Sequence, residues 1–126
     1  MKKILTILLV LLVLLLVTCT QQIIKQEMTF LENNTFDEVW EASIKAVNDI
    51  EFTIDSLDKD AGFIAAESGR QVGQKDPPRM AIMIKKVGGK VSVDCKVLQK
   101  EFVDIFGHGK KAVRKFMTAL NLNLNR

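Results

Sequence analysis

Two cysteines, a single histidine and a few grouped carboxylates are the side chains of this sequence suited to covalent, metal or acid–base chemistry. His108 stands between Gly107 and Gly109, and with no second imidazole in the chain a histidine pair for a metal cannot be assembled. Gly107-His108-Gly109-Lys110-Lys111 lacks the GxxxxGK[ST] spacing that wraps a phosphate, and neither lysine is followed by Ser or Thr, so it reads as a turn. Asp58, Asp60 and Gly62 begin like a calcium loop. The oxygen ligands stop there, however, and Gly69 stands where the closing bidentate carboxylate belongs, which leaves a hairpin turn. Asp55, Asp58, Asp60 and Glu67 fall in or beside solvent-facing hairpin positions, where nothing desolvates a carboxylate enough to tune an acid–base pair. The expectation is a chain that is not an enzyme and uses no metal and no cofactor.

The two cysteines differ in setting. Cys95 sits among alternating valines and reads as a small core residue, since a reactive thiol needs a partly exposed, electropositive site. Cys19 closes a leader: Met1-Lys2-Lys3 is positively charged, Ile4 to Val17 is apolar except for Thr6, and a polar stretch follows. That is the layout of a secretory signal. Those fourteen residues would rise about 21 Å as a helix, short of the roughly 30 Å hydrocarbon core. An uncleaved, tilted anchor is the alternative.

Leu16-Val17-Thr18-Cys19 resembles the lipobox of bacterial lipoproteins, with Thr18 in place of the usual Gly, Ala or Ser. The resemblance implies that residues 1–18 are removed, that Cys19 is acylated and becomes the mature N-terminus, and that residues 19–23 are a lipidated tether. It further implies attachment to the cell envelope. Because Thr20 is not Asp, the expected address in a Gram-negative cell is the periplasmic face of the outer membrane. One acyl chain holds a protein only marginally, so stable anchoring calls for more than one.

Without the leader, sixteen basic residues face fifteen acidic ones, a balance that speaks against a nucleic-acid partner. Seven Phe, one Trp and no Tyr leave little from which to build a base-stacking platform. The length of 126 residues is enough for one domain, placed at residues 24–126.

The elements follow from periodicity. A strand over about 24–32 is broken by Asn33-Asn34, and Thr35 with Glu38 three residues later forms a capping-box pattern for a helix beginning at Phe36. Val39, Trp40, Ser43, Val47 and Ile50 make its apolar stripe, where Trp40 is a packing residue. A period of two starts at Phe52, with Phe52, Ile54 and Ser56 on one face and Thr53, Asp55 and Leu57 on the other, and residues 63–68 form the return strand. Residues 69–78 are a loop of unusual length for a hairpin, and Arg70, Gln74, Lys75 and Arg79 are its candidate contact residues. Strands over 79–87 and 90–99 flank Gly88-Gly89, with Val91, Val93, Cys95 and Val97 inward. A second helix starts at about Lys110. Lys110, Lys111, Arg114 and Lys115 crowd its first turns, where the helix dipole disfavours cations, so they mark either an anionic partner or a solvated face.

The expected fold is α+β in two layers, β-α-β-β-β-β-α, an antiparallel sheet of about five strands covered on one face by two helices. Thr35-Phe36-Asp37-Glu38-Val39-Trp40-Glu41-Ala42, Phe52-Thr53-Ile54-Asp55 and Gly62-Phe63-Ile64-Ala65-Ala66 resemble small bacterial lipoproteins of uncharacterised function. Their folds are similar to the TATA-binding-like or helix-grip arrangement of the outer-membrane assembly lipoprotein BamC. This resemblance spans about residues 24–124 and implies a non-catalytic accessory role in the envelope. The leading expectation is a module that contacts a protein partner through the 69–78 loop or a strand edge. A small-molecule or lipid carrier is the alternative, its apolar pocket lying between helix and sheet with Met28, Met80, Met83 and Met117 among the walls.

Overall fold

Gly88 and Gly89 both have positive φ, 55° and 80°, as a two-residue hairpin requires if its twist is to match that of its strands. They join β4 (Arg79–Val87) to β5 (Lys90–Gln99), paired from Val87 opposite Lys90 to Arg79 opposite Leu98. The computed structural model describes residues 1–18, 22–69, 78–99 and 108–125. Ahead of this hairpin come α1 (Lys2–Thr18), β1 (Gln22–Leu31), α2 (Phe36–Asp49), β2 (Phe52–Asp58) and β3 (Phe63–Ser68), and α3 (His108–Leu124) follows it. The sheet order is β1-β5-β4-β3-β2 with every pair antiparallel, so β1 and β2 are the edges.

Helix α2 starts where the sequence places it. Thr35 is the N-cap, its hydroxyl accepting from the Glu38 amide at 3.2 Å, and the Glu38 carboxylate accepts from the Asn34 side chain at 3.1 Å. Asp37 and Glu38 put negative charge in the first turn, where the dipole favours it. At the other end Ile50 is the C-cap and Glu51 takes φ 65°, the left-handed conformation that usually falls to Gly or Asn.

Both α2 and α3 lie on one face of the sheet, α2 against β2 and β4, α3 against β5 and β1, and the two helices pack on each other. The strand residues beneath them alternate as the period of two requires: Met80, Ile82 and Ile84 of β4 and Val93, Cys95 and Val97 of β5 are each at most 1% exposed. Val113, Phe116 and Leu120 of α3 enter the same core at zero exposure. Burying a side chain the size of Phe116 stabilises by about 1.5–3 kcal/mol, so α3 is held by its apolar stripe. Trp40 is buried, stacked on Phe36 at a ring separation of 6.2 Å, in the packing role its helical position implies.

Two details depart from simple alternation. A bulge between Ile54 and Ser56 shifts the register of β2, so Leu57 faces Ile64 on the helix side and Ser56 faces Ala65 on the other. A second bulge lies between Ile23 and Lys25 at the start of β1.

Helix α1 spans 17 residues, about 26 Å at helical rise. No helix among the described residues is long and apolar enough to cross a membrane. Its apolar side chains from Ile4 to Leu14 are 53–73% exposed.

Candidate interaction surface

The residues singled out from the sequence go to different places. Cys19 and the loop residues Arg70, Gln74 and Lys75 lie outside the described residues. Arg79 opens β4, and its guanidinium is 3.6 Å from the Asp55 carboxylate and 3.8 Å from that of Glu67, so β2, β3 and β4 meet there in one small ion cluster. Asp58 serves its own turn, accepting from the Ala61 amide at 3.1 Å. His108 is the first residue of α3. Lys110, Lys111, Arg114 and Lys115 are all exposed on the first two turns of that helix. Among the described residues no group of three or more His, Cys, Asp or Glu side chains is placed to hold a metal ion.

Cys95 is fully buried in β5. Burial, with the negative charges of Asp94 and Glu27 adding to it, pushes its thiol well above the ordinary range. A thiolate nucleophile is not formed in such a place.

The sheet face turned away from the helices has a chemistry of its own. Cross-strand register puts Met28, Asp94, Met83 and Phe63 in one row across β1, β5, β4 and β3, with Phe30, Ser92 and Lys85 beside it. Met28 and Phe30 are 53% and 54% exposed. Asp94, between the two methionines, keeps only 15% of its side-chain surface and is fixed by the Gln26 amide, which donates to both carboxylate oxygens at 3.1 Å. Ser92 is buried on this same open face, and its hydroxyl is 3.4 Å from the Lys85 carbonyl. The surface is thus a half-covered apolar band with an ordered polar centre, running out to the free edge of β1.

Register also decides the four methionines. Met28 and Met83 pair with Asp94 on the open face, so neither can line a pocket between helix and sheet. Met80 is a core residue and Met117 is partly buried against the core. The space beneath the helices is occupied by side chains such as Ile82, Val93 and Phe116 at zero exposure. A separate open groove of about 470 Å³ lies between the helices, where Asp49, Ile50 and Glu51 at the end of α2 face Arg114, Lys115, Thr118, Ala119 and Leu122 of α3. Asn123, next to Leu122 in the chain, donates to Asp49 at 2.9 Å. The sequence implied an uncovered sheet face and singled out Arg114 and Lys115, but not that Met28 and Met83 lie on that face or that α2 ends against the two cations.

Neither a protein-family model nor a curated protein matches the chain. Among solved structures it is similar to the crystal structure of Ara h 8.0201, with a TM-score of 0.57 and 8% identity over 85% of this chain and 100% of that one. It is also similar to the crystal structure of TTHA0849 from Thermus thermophilus, with a TM-score of 0.36 and 12% identity over 79% of this chain and 92% of that one. The first likeness, at that identity, shows a shared fold and nothing about what either protein binds.

Proposed function

We propose that this chain is a non-catalytic envelope lipoprotein, anchored through Cys19, whose open sheet face and free β1 edge receive a protein partner. One observation carries the reading: an apolar band including Met28, Phe30, Met83 and Phe63 is only partly covered among the described residues, beside an edge strand of ten residues. A strand edge supplies backbone hydrogen bonds and the adjacent face supplies side-chain selectivity, which together make a known mode of recognition. The leader and the lipobox-like Leu16-Val17-Thr18-Cys19 support the tether. The filled core favours this reading over a carrier.

A photo-crosslinking residue in place of Phe30, used in native membranes, tests it against the same residue in place of Asp60, which lies in the β2–β3 turn. A discrete protein adduct is expected from position 30 and none from position 60. Met28→Glu should abolish the adduct while leaving stability within about 0.5 kcal/mol, because the side chain is half exposed. Equal adducts from both positions, or none from position 30, would refute the assignment.

A further inference from the structure

The strand directions gather one end of the domain around the tether. Ile23 pairs with Leu98, Leu98 with Arg79, Arg79 with Glu67 and Glu67 with Thr53, a row that crosses all five strands next to Gln22. Gln22 is three residues beyond Cys19, a reach of at most about 11 Å. The C-terminal turn of α2 enters β2 at this same end, and the groove beside it is lined by Arg114 and Lys115. Arg114 and Lys115 are therefore near the tether end, as is Asn123 in the last turn of α3, which donates to Asp49. Lys110 and Lys111 lie one turn earlier.

All four cations are exposed, and among the described residues none of them forms an ion pair. The opposite end carries Asp37 and Glu38 in the first turn of α2 and Asp58 and Asp60 beside the β2–β3 turn. Lysines at that end are largely engaged: Lys59 with Asp37 at 3.2 Å, Lys90 with Glu32 at 2.9 Å, and Lys86 over the Phe36 ring at 5.9 Å. At the tether end Asp49 and Glu51 face Arg114 and Lys115 across the groove, whereas Lys110 and Lys111 carry no ion pair among the described residues.

We propose that the start of α3, through Lys110, Lys111, Arg114 and Lys115, docks on the anionic headgroups of the bilayer that holds the tether, so that the β2–β3 and β4–β5 turns point away from it. The inference rests on the tethered reading and adds an orientation to it. A lipid anchor alone leaves a domain free to tumble, whereas basic side chains within a Debye length of an anionic surface are drawn to it. The dipole penalty of four cations at a helix start finds its reason here, because lipid phosphates supply the negative charge that this end of the helix prefers.

The full chain reconstituted in phosphatidylcholine vesicles, and in vesicles that also contain phosphatidylglycerol, provides the test by amide hydrogen exchange. Residues 110–115 should exchange several-fold more slowly with phosphatidylglycerol present, while residues 58–62 stay unchanged. The slowing should vanish at high salt and in the double variant Lys110→Glu, Lys111→Glu, whose carboxylates suit a helix start and leave the fold intact. If the chain is recovered with neither vesicle, the tether fails and the docking with it. Recovery with both and equal exchange at 110–115 leaves the tether standing and overturns the docking alone. Slowing that occurs only in native membranes assigns the patch to a protein and also overturns it.

Discussion

Gly62 is the residue at which local and long-range demands coincide. Its φ is +69°, its carbonyl accepts from the Ile84 amide at 2.7 Å, and a Cβ there would overlap the Ile84 carbonyl oxygen. Gly62→Ala therefore meets both a left-handed backbone and a backbone clash, and is expected to cost more than about 2 kcal/mol in urea unfolding. Gly88→Ala meets only the backbone term, with open space around it, and should cost about 1 kcal/mol. The sequence made the turn at Gly88-Gly89 readable, since the dipeptide is itself the signal. The requirement at Gly62 comes from a strand about twenty residues later. Ser43 shows the opposite sign: its hydroxyl is fully buried without a protein partner among the described residues, so Ser43→Ala should raise stability by about 1 kcal/mol in the same measurement. For Cys95, site-resolved mass spectrometry at pH 8 is expected to show alkylation only as fast as the protein unfolds. The folded thiol resists ionisation and the unfolded one does not. Its contribution to stability is therefore complete below about pH 8.5 and declines as the pH rises beyond it.

Among the elements, α2 was legible at its start from its capping residues and at its end only from the change of period at Phe52. Thr35, Asp37 and Glu38 announce an N-terminus, whereas a Glu in the left-handed position carries no sequence signal for a C-terminus. Glu51→Gly relieves that strain and should raise the midpoint of unfolding by the equivalent of about 0.5–1 kcal/mol, while also removing one wall of the helix–helix groove. Strand existence was readable from alternation, and so was facing in β5, where Val91, Val93, Cys95 and Val97 turn inward, but not in β1 and β2. The bulge between Ile54 and Ser56 reverses the pattern halfway along β2, and nothing in Phe-Thr-Ile-Asp-Ser-Leu marks it. In β1 the helix-side positions hold Lys25 and Glu27, opposite Val97 and Cys95, while Met28 and Phe30 look the other way. Both charged residues are exposed, so the covering helix gives out at this edge. Charges pointing inward on an edge strand also discourage uncontrolled sheet-to-sheet pairing.

At the scale of the whole molecule, one face of the sheet is covered by helices, the other is open among the described residues, and β1 begins at one corner with Gln22. The α+β class and element order could be read beforehand because two amphipathic helices and hairpin-linked strands permit few arrangements. That one face stays open belonged to the same expectation; that Met28 and Met83 lie on it did not. On the proposed reading, Cys19→Ser prevents acylation and should release the chain into the soluble fraction or leave it as an uncleaved precursor, two outcomes that the intact mass distinguishes. Retention in the membrane as the full-length chain would assign the anchoring to α1. The corner at which β1 begins also has, on the proposed reading, a mechanical meaning. Tension between the anchor and a partner held on the sheet runs along β1, from Gln22 toward Leu31, parallel to its ladder with β5. The nine register pairs of that ladder are then loaded together in shear, so no single pair opens before the others bear force. A domain strung in this way transmits a pull rather than unzipping under it.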